Sequence, residues 1–214
     1  MATEDTMGSL HAATEADVWD GGTSPYAVVP KKLGMWLFIV SDAITFSALI
    51  IAYAYTRVSS PFWPRPFEGA SIANATVMTF ILLTSSITVV MAVRAAKMDE
   101  RATTARWLMA TMVGGILFDV LHIREWMGLI NEGVVLFKNP WGVPMFGASF
   151  FTLTGLHMTH VTIGVVYLGV IAWGFNKGKY NADDVEVSGL YWHFVDLVWM
   201  FLFPLVYLMS AKTA

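Results

Sequence analysis

The stretch LFIVSDAITFSALI, residues 37–50, is almost entirely apolar, yet it places Asp42 close to its centre. Hydrophobic residues make up 56% of the 214-residue chain and charged residues only 14%, with a mean hydropathy of +0.59. Soluble domains contain about 25% charged residues. The composition therefore predicts a membrane protein in which Asp42 lies inside a membrane-spanning helix. A carboxyl group at that depth is energetically costly, so its presence needs an explanation.

The rest of the chain predicts an all-α membrane bundle. A helix needs about 20 apolar residues to cross a hydrocarbon core of about 30 Å. Five stretches reach this length: residues 33–56, 72–93, 107–130, 147–175 and 190–211. Because the connections are short, the helices are predicted to pack as one antiparallel domain over residues 30–214. Residues 1–29 contain five carboxylates and neither Lys nor Arg, which predicts an acidic, mobile arm.

Lys and Arg are distributed unevenly between the two ends of the predicted helices. With the N-terminus in the cytoplasm, eight lie on that side: Lys31, Lys32, Arg94, Lys97, Arg101, Arg106, Lys177 and Lys179. Four lie on the opposite side: Arg57, Arg65, Lys138 and Lys212. Since cytoplasmic loops carry the excess of Lys and Arg in membrane proteins, the predicted topology has the N-terminus inside and the C-terminus outside.

Asp42 has no cationic residue within one turn of its own helix. A charged group at this depth costs about 2.5–3.5 kcal/mol on insertion scales. The carboxyl must therefore pair with another helix, remain protonated, or contact water. A carboxyl of this kind is suited to exchanging protons, and the simpler interpretation is an acid that hydrogen-bonds a neighbouring helix and serves packing alone.

Five further polar residues lie within the third and fourth spans: Asp119, His122, Glu125, His157 and His160. His122 and Glu125 form an H-x-x-E pattern, and His157 and His160 form an H-x-x-H pattern. Residues three apart share a helix face, so the two helices have the ligand types of an imidazole–carboxylate metal site or a haem site. Di-iron bundles use more carboxylates than these helices supply, so we favour a hydrogen-bonded polar seam without metal.

The fifth span opens with a dense group of polar and aromatic residues. His193 and Asp196 lie three residues apart, so they are expected to hydrogen-bond each other and the preceding loop. Trp192 and Trp199 are expected to lie in the core or face lipid.

Four stretches together resemble one protein family. LGMWLFIVSDAITF resembles the first helix of short bacterial subunits III of haem-copper terminal oxidases, where the family has W-L-F-x-x-S-E. FTLTGLHMTHVTIG resembles its T-G-x-H-x-x-H-V-x-x-G helix, and GLYWHFVDLVWMFLFPLVYL is similar to its Y-W-H-F-V-D-x-V-W-x-x-L motif. FDVLHIREW resembles F-x-x-x-Q-x-x-E-[WY]. The four occur in the family's order over residues 33–211.

The resemblance implies a non-catalytic subunit of a proton-translocating cytochrome c oxidase in the bacterial inner membrane. Such a subunit binds no haem, copper or other metal and no nucleic acid. It packs against catalytic subunit I and the other oxidase subunits, binds phospholipid, and supports proton uptake in aerobic respiration. The short form has five helices, which agrees with the count obtained from hydropathy.

The resemblance also implies roles for individual residues. Asp42 falls at the family's membrane-embedded, carbodiimide-reactive glutamate, and Glu125 falls at the acid before the aromatic residue. The remaining family positions are occupied by His157, His160, Trp192, His193, Asp196 and Trp199. Two positions depart from the pattern: Asp42 replaces Glu, which shortens its reach by one methylene, and His122 stands where Gln is usual.

Three alternatives remain at this stage. The chain is also compatible with subunit III of a quinol oxidase or with an accessory subunit of a nitric oxide reductase. The third belongs to a different class, a stand-alone membrane metalloenzyme that uses His122, Glu125, His157 and His160.

Overall fold

A computed structural model describes residues 30–212 of the chain. Its five long helices are α1 (Pro30–Ser59), α2 (Gly69–Lys97), α3 (Arg101–Asn131), α4 (Pro144–Asn176) and α5 (Ala182–Leu202). Each is long and apolar enough to cross a membrane, α5 together with the turns that follow it. Residues 30–212 contain no regular strand. The predicted all-α fold with five membrane-spanning helices is confirmed, and the predicted acidic arm lies outside the described residues.

The start of α5 differs from its predicted boundary, because the helix begins at Ala182 and not near residue 190. Its first turns are polar and were missed by hydropathy, but they are stabilised by a capping box. The Asn181 side chain accepts a hydrogen bond from the backbone N–H of Asp184 at 3.1 Å, and the Asp184 carboxylate accepts one from the N–H of Asn181 at 2.9 Å. At its other end the helix becomes a π-helical turn, Phe203–Tyr207, where Pro204 removes a backbone donor.

The chain divides into two units, Met1–Gly34 and Met35–Ala214. Within the second unit, α2 packs against α3, α3 against α4 and α4 against α5, and α2 also contacts α5. These four helices therefore form a closed bundle. The part of α1 in this unit contributes only two buried side chains, Phe46 and Tyr53. A helix that buries so little apolar surface depends strongly on its polar contacts.

The centre of the bundle contains two tryptophans of α5, Trp192 and Trp199, which are both fully buried. Gly115 of α3 lies directly against the first of them. A Cβ atom at position 115 would lie 2.5 Å from Cη2 of Trp192 and 2.6 Å from Cγ2 of Val165. Glycine is thus required where the indole of α5 approaches the backbone of α3.

Candidate functional site

Asp42 on α1 pairs with His160 on α4. The Oδ2 atom of Asp42 lies 2.9 Å from Nε2 of His160. The Nδ1 atom of His160 lies 2.8 Å from the carbonyl oxygen of Leu156, one turn earlier on the same helix. His160 is the central residue of α4, sixteen residues from either end of Pro144–Asn176. The partner that the Asp42 carboxyl requires at membrane depth is therefore a histidine of another helix.

The hydrogen bonds of His160 determine how many protons the pair holds. The Leu156 carbonyl can only accept, so Nδ1 of His160 carries a proton and donates it. One further proton then lies between Nε2 and Oδ2. Either a carboxylic acid donates to a neutral imidazole, or an imidazolium donates to a carboxylate. The pair has no net charge in either arrangement, which is how two ionisable groups are tolerated at this depth.

Neighbouring aromatic residues pack against the pair, but the pair is not completely buried. The Phe46 ring lies edge-on to the His160 imidazole, with centroids 5.2 Å apart, and the Tyr191 hydroxyl donates to the His160 carbonyl at 3.0 Å. The side chains of Asp42 and His160 nevertheless remain 18% and 13% exposed. The pair therefore lies at the edge of the described bundle and is not enclosed by it.

His122 and His157 occupy a different environment, an aromatic cluster in the core. Both are fully buried. The His157 ring stacks on Trp199 with centroids 5.2 Å apart, and Phe118 lies edge-on to both imidazoles, at 5.4 Å from His122 and 5.6 Å from His157. Their ring nitrogens have no hydrogen-bond partner among residues 30–212. These two histidines contact aromatic faces and not the polar seam that we expected.

The other seam residues also bond elsewhere. The Asp119 carboxylate accepts a hydrogen bond from the Thr162 hydroxyl at 3.0 Å. The Glu125 carboxylate accepts one from the Asn74 amide of α2 at 3.1 Å. The five residues therefore do not form one hydrogen-bonded seam between α3 and α4. The described part of the chain contains no group of three or more His, Asp or Glu side chains placed to hold a metal ion.

The tryptophans of α5 hydrogen-bond to hydroxyl groups of α2. Trp192 Nε1 donates to the Ser85 hydroxyl at 2.9 Å, and Trp199 Nε1 donates to the Thr79 hydroxyl at 3.0 Å. Each indole therefore fills the core while its polar atom is satisfied by the neighbouring helix.

His193 and Asp196 contact the same serine of α2 and are not joined to each other as expected. The Ser86 hydroxyl donates to Oδ2 of Asp196 at 2.7 Å. Because that hydroxyl proton is used, Nδ1 of His193, 3.3 Å from the Ser86 oxygen, must be the donor in the second bond. The serine thus links the imidazole to the carboxylate and joins α5 to α2 at a further point.

The sequence that forms this helical bundle also matches a known protein family over almost its whole length. A sequence model of the family "Cytochrome c oxidase subunit III" matches residues 14–211. The chain belongs to this family. The family model covers all five helices, including Asp42, His160 and the α5 residues described above.

Relatives of this chain include proteins named as subunits of cytochrome c oxidases and of quinol oxidases. The chain is 32% identical over 183 residues to "Cytochrome c oxidase subunit 3" of Alkalihalophilus pseudofirmus, covering 84% of this chain and 87% of that protein. It is 32% identical over 181 residues to "Quinol oxidase subunit 3" of Bacillus subtilis, covering 83% and 86%. "Cytochrome c oxidase subunit 3" of Thermostichus vulcanus is also 32% identical, covering 84% and 88%.

The subunit III structure also contains a polar network that we did not predict from the sequence. Near the end of α1, Nη1 of Arg57 donates to the Tyr53 hydroxyl and to the Ser210 hydroxyl, each at 3.0 Å. The same guanidinium donates to the carbonyl of Met209. An arginine four residues after a buried tyrosine was the available signal, but its other partners, Met209 and Ser210, lie more than 150 residues away in the sequence.

A second contact that we missed joins the loop before α2 to the end of the described chain. The Lys212 ammonium donates to the Glu68 carboxylate, and the Lys212 backbone N–H donates to the carbonyl of Phe67 at 2.9 Å. The hydrogen bond and the positive charge of Lys212 hold the pKa of Glu68 below its usual value.

Proposed function

We propose that this subunit III is a non-catalytic subunit of a proton-translocating haem-copper oxidase in the bacterial inner membrane, packed against catalytic subunit I. Its role is to support proton uptake by the catalytic subunit and to stabilise that subunit, while partner chains hold the haem and copper. The proposed topology places the N-terminus in the cytoplasm and the C-terminus in the periplasm, as the distribution of Lys and Arg predicts.

The Asp42–His160 pair is the observation that carries this proposal. Two ionisable side chains 2.9 Å apart hold one shared proton at mid-helix and remain partly exposed. Such a pair is neutral at rest, and it becomes charged when it accepts or releases a proton. In the proposed role, Asp42 and His160 keep a protonatable group near the proton-entry side of the catalytic subunit.

The exposed surface of α1 supports a contact with partners. Most of its large apolar side chains are exposed, including Ile44 at 66% and Ile51 at 67%. In the membrane this surface faces lipid or another polypeptide. We propose that catalytic subunit I and phospholipid share it, on either side of the Asp42–His160 pair.

Purification through a tag on this chain tests the assembly. In mild detergent, the proposal predicts co-purification of an oxidase catalytic subunit with haem absorbance. Removal of the partner chains from the tagged chain should remove all the haem, iron and copper. Tightly bound metal in the isolated chain would contradict the proposal. Parallel oxidation assays with reduced cytochrome c and with a quinol identify the electron donor.

Turnover measurements test the role of Asp42. The variant Asp42→Asn keeps a side chain that hydrogen-bonds His160 but removes the carboxyl that exchanges a proton. We expect it to leave initial oxygen consumption nearly unchanged and to accelerate the loss of activity during sustained turnover. Thr84→Val is the matched control, because Thr84 lies on the exposed side of α2, away from the proposed contact surface of α1, and bonds only the Phe80 carbonyl of its own helix. Equal decay rates in all three proteins would contradict the proposed role.

A further inference from the structure

Asp119 is a second carboxyl close to the middle of a membrane-spanning helix. It lies near the centre of α3, and its hydrogen-bond partner Thr162 lies near the centre of α4. Residues two apart on a helix point about 200° away from each other, so Thr162 lies on the opposite side of α4 from His160. The Asp119–Thr162 contact therefore belongs to a different surface from the Asp42–His160 pair.

The Thr162 hydroxyl does not satisfy this carboxyl. Its single proton has two acceptors, Oδ2 of Asp119 at 3.0 Å and the carbonyl oxygen of Met158 at 2.9 Å. The Oδ1 atom of Asp119 is buried and has no hydrogen-bond partner among residues 30–212. Within the same range Asp119 makes no ion pair, whereas Asp42 pairs with His160. The carboxyl is left with one shared hydrogen bond at a depth where an ionised group is costly.

The surface around this contact is apolar and open. The hydrogen bond itself is exposed, and so are the neighbouring side chains Ile116 and Ile123 of α3 and Val166 of α4. These three residues with Asp119 and Thr162 form what we call the Asp119 face. In the membrane this face meets either lipid or another polypeptide. Acyl chains offer the carboxyl neither a hydrogen-bond donor nor a charge, whereas a helix of another chain can carry both.

We propose that the Asp119 face binds a membrane-spanning helix of another chain that places a Lys or Arg at the depth of Asp119. Ionisable residues inside membranes pair with one another, because the pair relieves the cost that each charge carries alone. A carboxylate oxygen has two lone pairs. The Oδ2 atom that accepts from Thr162 can therefore also accept from an ammonium or a guanidinium at this exposed contact.

A second copy of this chain does not supply the required cation. In the described residues, every Lys and Arg of the five helices lies towards a helix end. The one closest to Asp119 along α3 is Arg124, five residues or about 7.5 Å further on. The charge of Asp119 therefore points to a partner of different sequence.

This inference adds a second contact surface to the proposed function, which places partners only on the exposed side of α1. That side is joined to α4 through His160, and the Asp119 face lies on the other side of α4. With partners on both surfaces, the subunit connects the catalytic subunit on one side to a further membrane chain on the other.

Photo-crosslinking in the intact complex tests the inference. p-Benzoylphenylalanine replaces Ile116 or Val166, the complex is purified through the tag and illuminated, and mass spectrometry identifies what the probe has captured. We expect both positions to capture the same peptide, from a membrane-spanning helix that contains Lys or Arg. Ile87 of α2 is the control position, because it is 60% exposed, against 50% for Ile116 and 62% for Val166. A probe at Ile87 should not capture that peptide.

Substitutions at position 119 test the role of charge. Asp119→Asn keeps the size of the side chain and removes its charge, which leaves the partner's cation unpaired inside the membrane. We expect it to lower the yield of the crosslink from position 166 about tenfold, and Asp119→Glu to retain most of that yield. Asp99→Asn is the matched control, because it removes one carboxylate from the exposed turn between α2 and α3 and should leave the yield unchanged.

Four results would overturn the inference. Capture of lipid alone means that the Asp119 face lies against the bilayer. Capture of a second copy of this chain, or of a helix without Lys or Arg, means that a different partner occupies it. An unchanged yield in Asp119→Asn means that charge does not hold the contact. The proposed function fails separately, when the purified complex contains no haem, and that measurement does not depend on the crosslinks.

Discussion

Replacing Asp42 and His160 with leucine, singly and together, tests whether their contact holds α1 against α4. The variant Asp42→Leu leaves Nε2 of His160 without a partner in a largely buried position, at a cost of about 1–3 kcal/mol. The variant His160→Leu leaves the Asp42 carboxyl unpaired, at a similar cost that rises to about 2.5–3.5 kcal/mol when it is ionised. The double variant replaces both polar partners with apolar groups and should be nearly neutral.

Local opening of α1 provides the measurement. The chain contains no cysteine, so Ala43→Cys introduces a unique thiol on the side of α1 that packs against the core. The rate at which a membrane-permeant reagent labels this thiol in the intact complex reports the free energy of local opening. Losses of about 1–3 kcal/mol predict labelling about 5–150 times faster in each single variant. The double variant should label within about fivefold of the parent.

The refuting result is additivity. If the double variant opens by the sum of the two single effects to within about 0.5 kcal/mol, the two side chains do not interact in the native protein. The reasoning from the 2.9 Å contact would then be wrong, whatever the absolute rates.

Two further predictions concern packing and pH. Gly115→Ala should reduce the free energy of unfolding by about 1–3 kcal/mol, because its Cβ would lie 2.5 Å from Trp192. Gly128→Ala on the same helix, with nothing within 4 Å, should be neutral or slightly stabilising in the same denaturation assay. A lowered pKa means that the Glu68–Lys212 contact stabilises above the ordinary carboxylate pKa and is lost as pH falls through the lowered value. The Lys212 amide should therefore be less protected against hydrogen exchange in acid. In Glu68→Gln this pH dependence should disappear. If the pH dependence persists in that variant, a group other than Glu68 causes it.

The five helices were predictable because each one contains a long, continuous stretch of apolar residues. The start of α5 was not, because its first turns contain Asp183 and Asp184 and resemble a loop by hydropathy. The physical signal was present in the sequence: Asn181 followed three residues later by Asp184 is a capping box. Capping residues therefore locate a helix end that the membrane pattern alone misses.

The partners of the candidate residues were less predictable than the residues themselves. Residues three apart on a helix point in directions about 60° apart, which is enough to send His157 into the aromatic core and His160 to α1. Which neighbour each histidine contacts depends on how α1 and α4 are aligned. Asp42 and His160 are separated by 118 positions in the sequence, so no local signal predicts that alignment.

The hydroxyl partners on α2 were missed for a different reason. Serine and threonine in membrane helices often bond the carbonyl of the preceding turn and then serve only packing. Ser85 makes such a bond to the Leu82 carbonyl and still accepts from the Trp192 indole. One hydroxyl therefore hydrogen-bonds both to its own helix and to the neighbouring helix. The sequence pattern does not show whether a serine makes only the first bond or both.

The contacts of α1 connect its packing with the proposed proton exchange. This helix buries two side chains and is fixed by the Asp42–His160 pair near its centre and by Arg57 near its end. Adding a proton to the pair leaves a cation in the bilayer, and removing one leaves an anion, so either change favours contact with water or a partner group over the closed pair. Proton exchange at Asp42 and the position of α1 are thus thermodynamically linked. Under the proposed function, the packing acid and the proton-exchanging acid, which the sequence offered as alternatives, are two consequences of the same contact.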